Sequence, residues 1–171
     1  MLPALAVPYI ESTLRPIAPG ASTQWTPVGA PTNWQAVGES GSMDAAFVRI
    51  NNGVGAGFTD LYACPVPVGG RIARVTVHAR ARFSLRVLTD PIPKMRLVCV
   101  IDGMTLYGPD IDLTDTIVDY QHEFDTVGSG GSVVEIGQQN VNGFGRQDIH
   151  KVWADVMQYP QRRRGSIREV W

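Results

Sequence analysis

Long apolar runs are missing from this chain: none of its 171 residues falls in a stretch approaching the roughly 20 apolar positions that a membrane-spanning helix needs. The opening MLPALAVPYI has no basic region ahead of its apolar residues, and two prolines break it, so neither a secretory signal nor a membrane partner is expected. Cysteine is scarce. Cys64 and Cys99 make no disulfide framework; they read as two buried thiols, one bridge being the alternative. Three histidines without regular spacing give no metal signature, and no Ser or Cys stands in a nucleophile motif. The GSGGS turn lacks the strand, Gly-Lys-Ser/Thr and helix that would make it a phosphate loop. A non-enzymatic protein without a cofactor is the expectation. Charge is also thin, at 18% of residues against the roughly 25% usual for soluble chains.

Glycine (18) and proline (12) are plentiful enough to exclude a helix bundle. The first forty residues hold six of the prolines and only three charges. No stable helix or central strand is expected there, yet Leu2, Leu5, Val7, Tyr9, Ile10, Leu14, Ile17, Trp25 and Trp34 need cover. The expectation is an extended arm over residues 1–40 lying in a groove, on a neighbouring subunit or, as the alternative, on its own domain, with a β domain over 41–160 and a basic tail over 161–171.

Period-2 alternation is the clearest pattern. From Val75 to Val87 every odd position is apolar and every even one polar, as in a long strand with one face buried. AAFVRI, FTDLYAC, KMRLVCVI, MTLY, TIVDYQHEFDT and VVEIG read as further strands, with KMRLVCVI central and Asp102-Gly103 closing a two-residue hairpin. DIHKVWADVMQY is ambiguous: Ile149, Val152, Trp153, Val156 and Met157 fit a helix, while Val152, Ala154 and Val156 fit a strand. The strand count gives an all-β antiparallel sandwich.

Charge is segmental. Residues 1–70, 71–101, 102–135 and 136–171 carry net −2, +6, −8 and +3, and thirteen of the fifteen bases are Arg. Either the basic and acidic strands pair within the sheet, or they meet across subunits, which would engage Arg80, Arg82 and Arg86. Asp110, Asp112 and Asp115 are candidate calcium ligands, with an acidic solvated loop as the plainer reading. His78 with Asp119 or Glu123 is the one catalytic pair worth weighing. The run Arg162–Arg164 is too short to make nucleic acid an expected partner. Trp25, Trp34 and Phe144 are candidates for a glycan platform on sandwich loops.

DAAFVRI, a Gly turn with FTDLY, IARVTVHARAR, YQHEFDT and DIHKVWADV, in that order across roughly Asp44 to Tyr159, resemble a strand pattern in virion proteins of tailed bacteriophages. That resemblance implies a jelly-roll sandwich, makes DIHKVWADVMQY the final strand, and implies a structural role in a virion. The role expected on this footing is a capsid decoration or cement protein, a homo-oligomer (a trimer being one order that fits) whose main partner is the major capsid protein. Its subunit contacts would be Leu5, Tyr9, Ile10, Leu14, Trp25, Arg80, Arg82, Arg86, Arg163 and Trp171. The alternative is a neck or tail appendage module that recognises host-surface glycan.

Overall fold

A computed structural model of the chain describes residues 9–38, 44–66, 70–128 and 133–160. The outer parts of the expected terminal segments, with Leu5, Arg163 and Trp171, lie outside the described residues. Twelve strands and one short helix follow in the order β1 (Ile10–Leu14), β2 (Ala18–Thr23), β3 (Thr26–Val28), α1 (Asn33–Gly38), β4 (Phe47–Ile50), β5 (Thr59–Pro65), β6 (Ile72–Leu85), β7 (Lys94–Ile101), β8 (Met104–Tyr107), β9 (Ile111–Asp112), β10 (Val118–Gly128), β11 (Val133–Asn140) and β12 (Arg146–Gln158).

Two antiparallel sheets face each other. The first runs β10-β6-β12-β4-β3 with β1 also on β12; the second runs β2-β5-β11-β7-β8 with β9 also on β7. Stripped of β1, β2, β3 and β9, the orders are 4-12-6-10 and 5-11-7-8, the eight-stranded, double Greek-key arrangement of a jelly roll. The core lies between them. Val75, Val77, Ala79 and Ala81 of β6 and Val152, Ala154 and Val156 of β12 meet Leu97 and Cys99 of β7, Cys64 of β5, and Val134 and Ile136 of β11. Both cysteines are free, and burial pushes their thiols up to about 12, so neither is a nucleophile at neutral pH.

The alternation in β6 is as expected up to Ala81, but Leu85 and Val87 are about half exposed. Its partners run out there: β10 begins opposite Ala81 and β12 opposite Leu85. Asp102 and Gly103, both at positive φ, close the β7–β8 hairpin directly from Ile101 to Met104. DIHKVWADVMQY is strand as far as Gln158.

Of the arm expected over 1–40, the described part lies on its own domain, the alternative to a neighbouring subunit. β1 pairs with β12 from Ile10↔Gln158 to Leu14↔Ala154, β2 pairs with β5, and β3 pairs with β4. Proline is accommodated because all three strands lie at or beside sheet margins. Leu14 and Trp25 are buried in the chain's own core, so they anchor nothing on a neighbour, whereas Tyr9 and Ile10 remain about half exposed. Among the described apolar residues of this stretch, Leu14 and Trp25 thus find cover on their own body, while Ile17, like Tyr9 and Ile10, stays about half exposed. A helix also forms where none was expected: at its start the Gln35 backbone N–H donates to the Thr32 hydroxyl at 3.4 Å and that hydroxyl donates to the Gln35 side-chain oxygen at 2.7 Å, while Ala36 and Val37 fill the core.

Candidate functional site

The segmental charge resolves within the chain. Acidic β10 lies directly against basic β6, with Asp119 opposite Arg80 and Asp125 opposite Arg74. Arg80 bonds Asp44 at 2.9 Å and Asp119 at 3.3 Å, and Arg74 meets Glu123 at 3.1 Å and Asp125 at 3.6 Å. The Arg80 guanidinium holds the Asp44 carboxyl below its usual range. Arg82 approaches buried Asp148 at 3.8 Å, and Arg86 donates to the Asp90 carbonyl within the β6–β7 loop. These arginines, expected at subunit contacts, are engaged by their own subunit.

Because the core takes alternate residues of β6 and β12, the remaining residues stand on the outer face of the first sheet, in rows set by register. One row runs Thr13–Asp155–Thr76–Glu123, and the next runs Trp153–His78–Gln121. On the first row, Asp155 accepts a hydrogen bond from the Thr13 hydroxyl at 2.7 Å on one oxygen and lies 2.9 Å from His78 Nε2 on the other. The His78 ring stacks on the Trp153 indole, centroids 4.8 Å apart and planes 3° from parallel. Lys151 Nζ lies 5.3 Å from the Trp153 ring centre. Beside these rings runs a groove of about 390 Å³ lined by Glu11, Ser12, Thr13, Arg74, Thr76, Asp155, Val156 and Met157.

His78 therefore takes Asp155 as its carboxylate partner, not Asp119 or Glu123. The arrangement differs from a nucleophilic triad, in which the hydroxyl bonds to the imidazole and the carboxylate orients the ring's far side. Here the carboxylate sits between hydroxyl and imidazole, so the Thr13 hydroxyl bonds the carboxylate and not the ring. What the face offers is a fixed acceptor, several hydroxyls, a guanidinium and a stacked, partly exposed ring pair.

The loop candidates do not assemble. Trp25 is buried, its indole N–H donating to the Phe58 carbonyl at 3.0 Å. Trp34 is half-buried and lines a separate hollow of about 270 Å³ with Pro19, Pro27, Pro31, Leu61 and Tyr62. Phe144 is exposed on the loop between β11 and β12. Of the calcium candidates, Asp112 pairs with Lys94 at 2.7 Å, and no metal-competent cluster of three ligating side chains occurs among the described residues. Trp153, weighed above only for helix or strand, and Asp155, not singled out there, are the centre of the face. The signal for them was their i, i+2 spacing on the polar side of the final strand.

No protein-family model matches the chain, and no curated protein matches it. Among solved structures it is similar to TmCBM61, determined in complex with β-1,4-galactotriose, at 12% identity and a TM-score of 0.46, covering 86% of this chain and 87% of that one. It is similar to the CBM22-1 xylan-binding domain of Paenibacillus barcinonensis Xyn10C at 11% identity and a TM-score of 0.46, covering 86% and 94%. It is similar to the enzymatically active domain of tailspike protein 4 of Bacteriophage CBA120 at 14% identity and a TM-score of 0.47, covering 85% of this chain and 19% of that one. The likeness is one of β-sandwich fold.

Proposed function

We propose that the chain is a non-catalytic module that binds carbohydrate on the outer face of its first sheet. The observation that carries this reading is the Thr13–Asp155–His78 relay set against Trp153 beside an open groove. A sugar presents hydroxyls that need fixed donors and acceptors, and patches of C–H that favour an aromatic surface. A site built on strands holds both with little loss of side-chain freedom on binding. Asp155 is oriented by two partners before any ligand arrives, and Ser12, Thr13 and Thr76 add hydroxyls from β1 and β6 along the same groove. The capsid-cement role has no such support, since the described part of its arm is built into the chain's own sheets.

The test is retention on a panel of immobilised polysaccharides, followed by calorimetric titration with the retained glycan. Trp153→Ala and Asp155→Ala each weaken binding by about tenfold or more while leaving the β-sheet circular dichroism unchanged. Retention of no glycan, or binding indifferent to both substitutions, overturns the reading.

A further inference from the structure

We infer that this groove sorts glycans by charge, taking amino sugars in preference to neutral ones and refusing acidic ones; the inference rests on the carbohydrate reading above and narrows its ligand class. Four carboxylates, Glu11, Glu123, Asp125 and Asp155, line the groove or join the outer row beside it, against the single guanidinium of Arg74. That guanidinium is already committed, at 3.1 Å to Glu123 and 3.6 Å to Asp125. A uronate or sialate entering the groove would meet no unengaged cation there and would have to displace an existing carboxylate from Arg74. Arg80, the next base on β6, is held by Asp44 and Asp119, and Lys151 lies over Trp153 beyond the groove lining. A protonated amine on a sugar ring, by contrast, meets surplus negative charge together with hydroxyl and carboxylate acceptors.

This field is exposed, so its effect on affinity is moderate and falls with salt, the screening length shrinking from about 10 Å at 0.1 M to about 3 Å at 1 M. The experiment is calorimetric titration of the whole chain at about pH 6, where an ordinary amine carries its proton. The probes are oligosaccharides of equal length built from glucosamine, N-acetylglucosamine and galacturonic acid. The glucosamine oligomer binds about tenfold tighter than its acetylated counterpart at low salt, and the advantage narrows to about twofold near 1 M salt. The galacturonate oligomer gives no measurable heat. In the double variant Glu123→Gln with Asp125→Asn, which frees Arg74, the galacturonate oligomer binds measurably and the glucosamine advantage shrinks. Equal, salt-indifferent binding of the amino and acetylated sugars overturns the charge inference and leaves the module reading standing. Galacturonate binding as tight as glucosamine does the same. Binding of none of the three, after a polysaccharide panel that also retains nothing, overturns both.

Discussion

The carboxylate of Asp60 accepts a hydrogen bond from the side-chain amide of Asn33, tying the start of β5 to the first residue of α1. The same carboxylate takes the backbone N–H groups of Gln24 and Trp25, at 2.5 and 2.8 Å, and the Tyr62 hydroxyl at 3.2 Å. Tyr62 in turn accepts from the Gln138 amide at 2.9 Å on β11. One buried acid therefore organises the turn from β2 to β3, the helix and two strands of the second sheet. This is how a proline-rich leader with little regular structure of its own becomes a fixed part of the sandwich.

Replacing Asp60 with Ala strands up to four buried or half-buried donors, each costing about 1–3 kcal/mol, so a loss of at least about 3 kcal/mol is expected. For a chain of this size that is a fall of about 6–12 °C in Tm by calorimetry. Asp60→Asn keeps an acceptor and loses less. The two also differ in pH response. Burial raises the Asp60 carboxyl above its ordinary 3.8 despite the donors around it. The folded state then holds the proton to higher pH than the unfolded chain does, so this group's stabilisation is full below about 3.8 and declines as pH rises through the folded value. Denaturation of native chain and Asp60→Asn across acid pH reads this directly: the native chain should lose ground to the variant as pH rises. A constant difference would show that the carboxyl titrates alike in both states.

The two long strands show what the sequence discloses and what it hides. Regular alternation made β6 legible, because neighbours on both sides hold one face of it buried for most of its length. β12 was ambiguous for a physical reason. Its register on β6 shifts between Ile149 and Lys151, so the inward set passes from Ile149 to Val152, Ala154 and Val156. A bulge inserted into a strand produces the i, i+3 spacing of a helix. The leader's host stayed open because proline propensity says where a strand cannot be central, not whether an edge is available to receive one. The helix carried a readable signal in Thr32 and Gln35 that composition obscured. The outer face was half legible: polar alternate positions were visible, but register alone decides that Trp153 stands opposite His78.

Arg49 and Arg80 each bond an aspartate, yet their removal has different consequences. Arg49 makes two bonds to Asp148, at 2.7 and 2.9 Å, and the Asp148 side chain is fully buried. Arg49→Ala leaves that carboxylate with only Arg82 at 3.8 Å, and a loss of about 3–5 kcal/mol follows. Arg80, Asp44 and Asp119 are all more than a third exposed at the side chain or close to it, at 38%, 35% and 56%. Water and salt screen them, so Arg80→Ala costs below about 1 kcal/mol. Urea denaturation of both variants measures the contrast, and equal losses would refute the ranking.

Binding on the outer face should depend on how Asp155 is held as well as on its charge. Thr13→Val removes one of the two groups that orient the carboxylate but keeps the shape of the side chain at the edge of the groove. Stability should change by less than about 1.5 kcal/mol, the net worth of an ordinary hydrogen bond. Glycan affinity should fall by about threefold to tenfold, because an acceptor that must be re-oriented on binding loses part of its advantage. Titration calorimetry beside thermal melting separates the two effects, and unchanged affinity in the variant would show that the relay does not serve the ligand.

His150 gives the fold a weakness in mild acid. It sits at the bulge in β12, buried against Phe47 at a ring separation of 5.1 Å, with Nδ1 3.0 Å from the Asp44 carbonyl oxygen. Nδ1 therefore carries the proton of the neutral ring, while Nε2 is buried without a partner. Burial lowers the imidazole below its ordinary 6.5; the Asp44 carbonyl and the Asp44 and Asp148 carboxylates pull the other way, and Arg82 adds to the lowering. The unfolded chain thus takes up a proton near pH 6.5 that the folded chain resists. Stability falls as pH drops through that value and levels off below the folded one. The lowered Asp44 carboxyl acts separately, supporting the fold above about 3.8 and failing only as pH falls further. Urea denaturation of the native chain between about pH 7.5 and 5 should show a loss that His150→Gln lacks, since the amide keeps a donor for Asp44 but does not titrate. Its size is about 1.4 kcal/mol for each pH unit separating the two states' titrations. A variant that tracks the native chain throughout would place the acid sensitivity on another group.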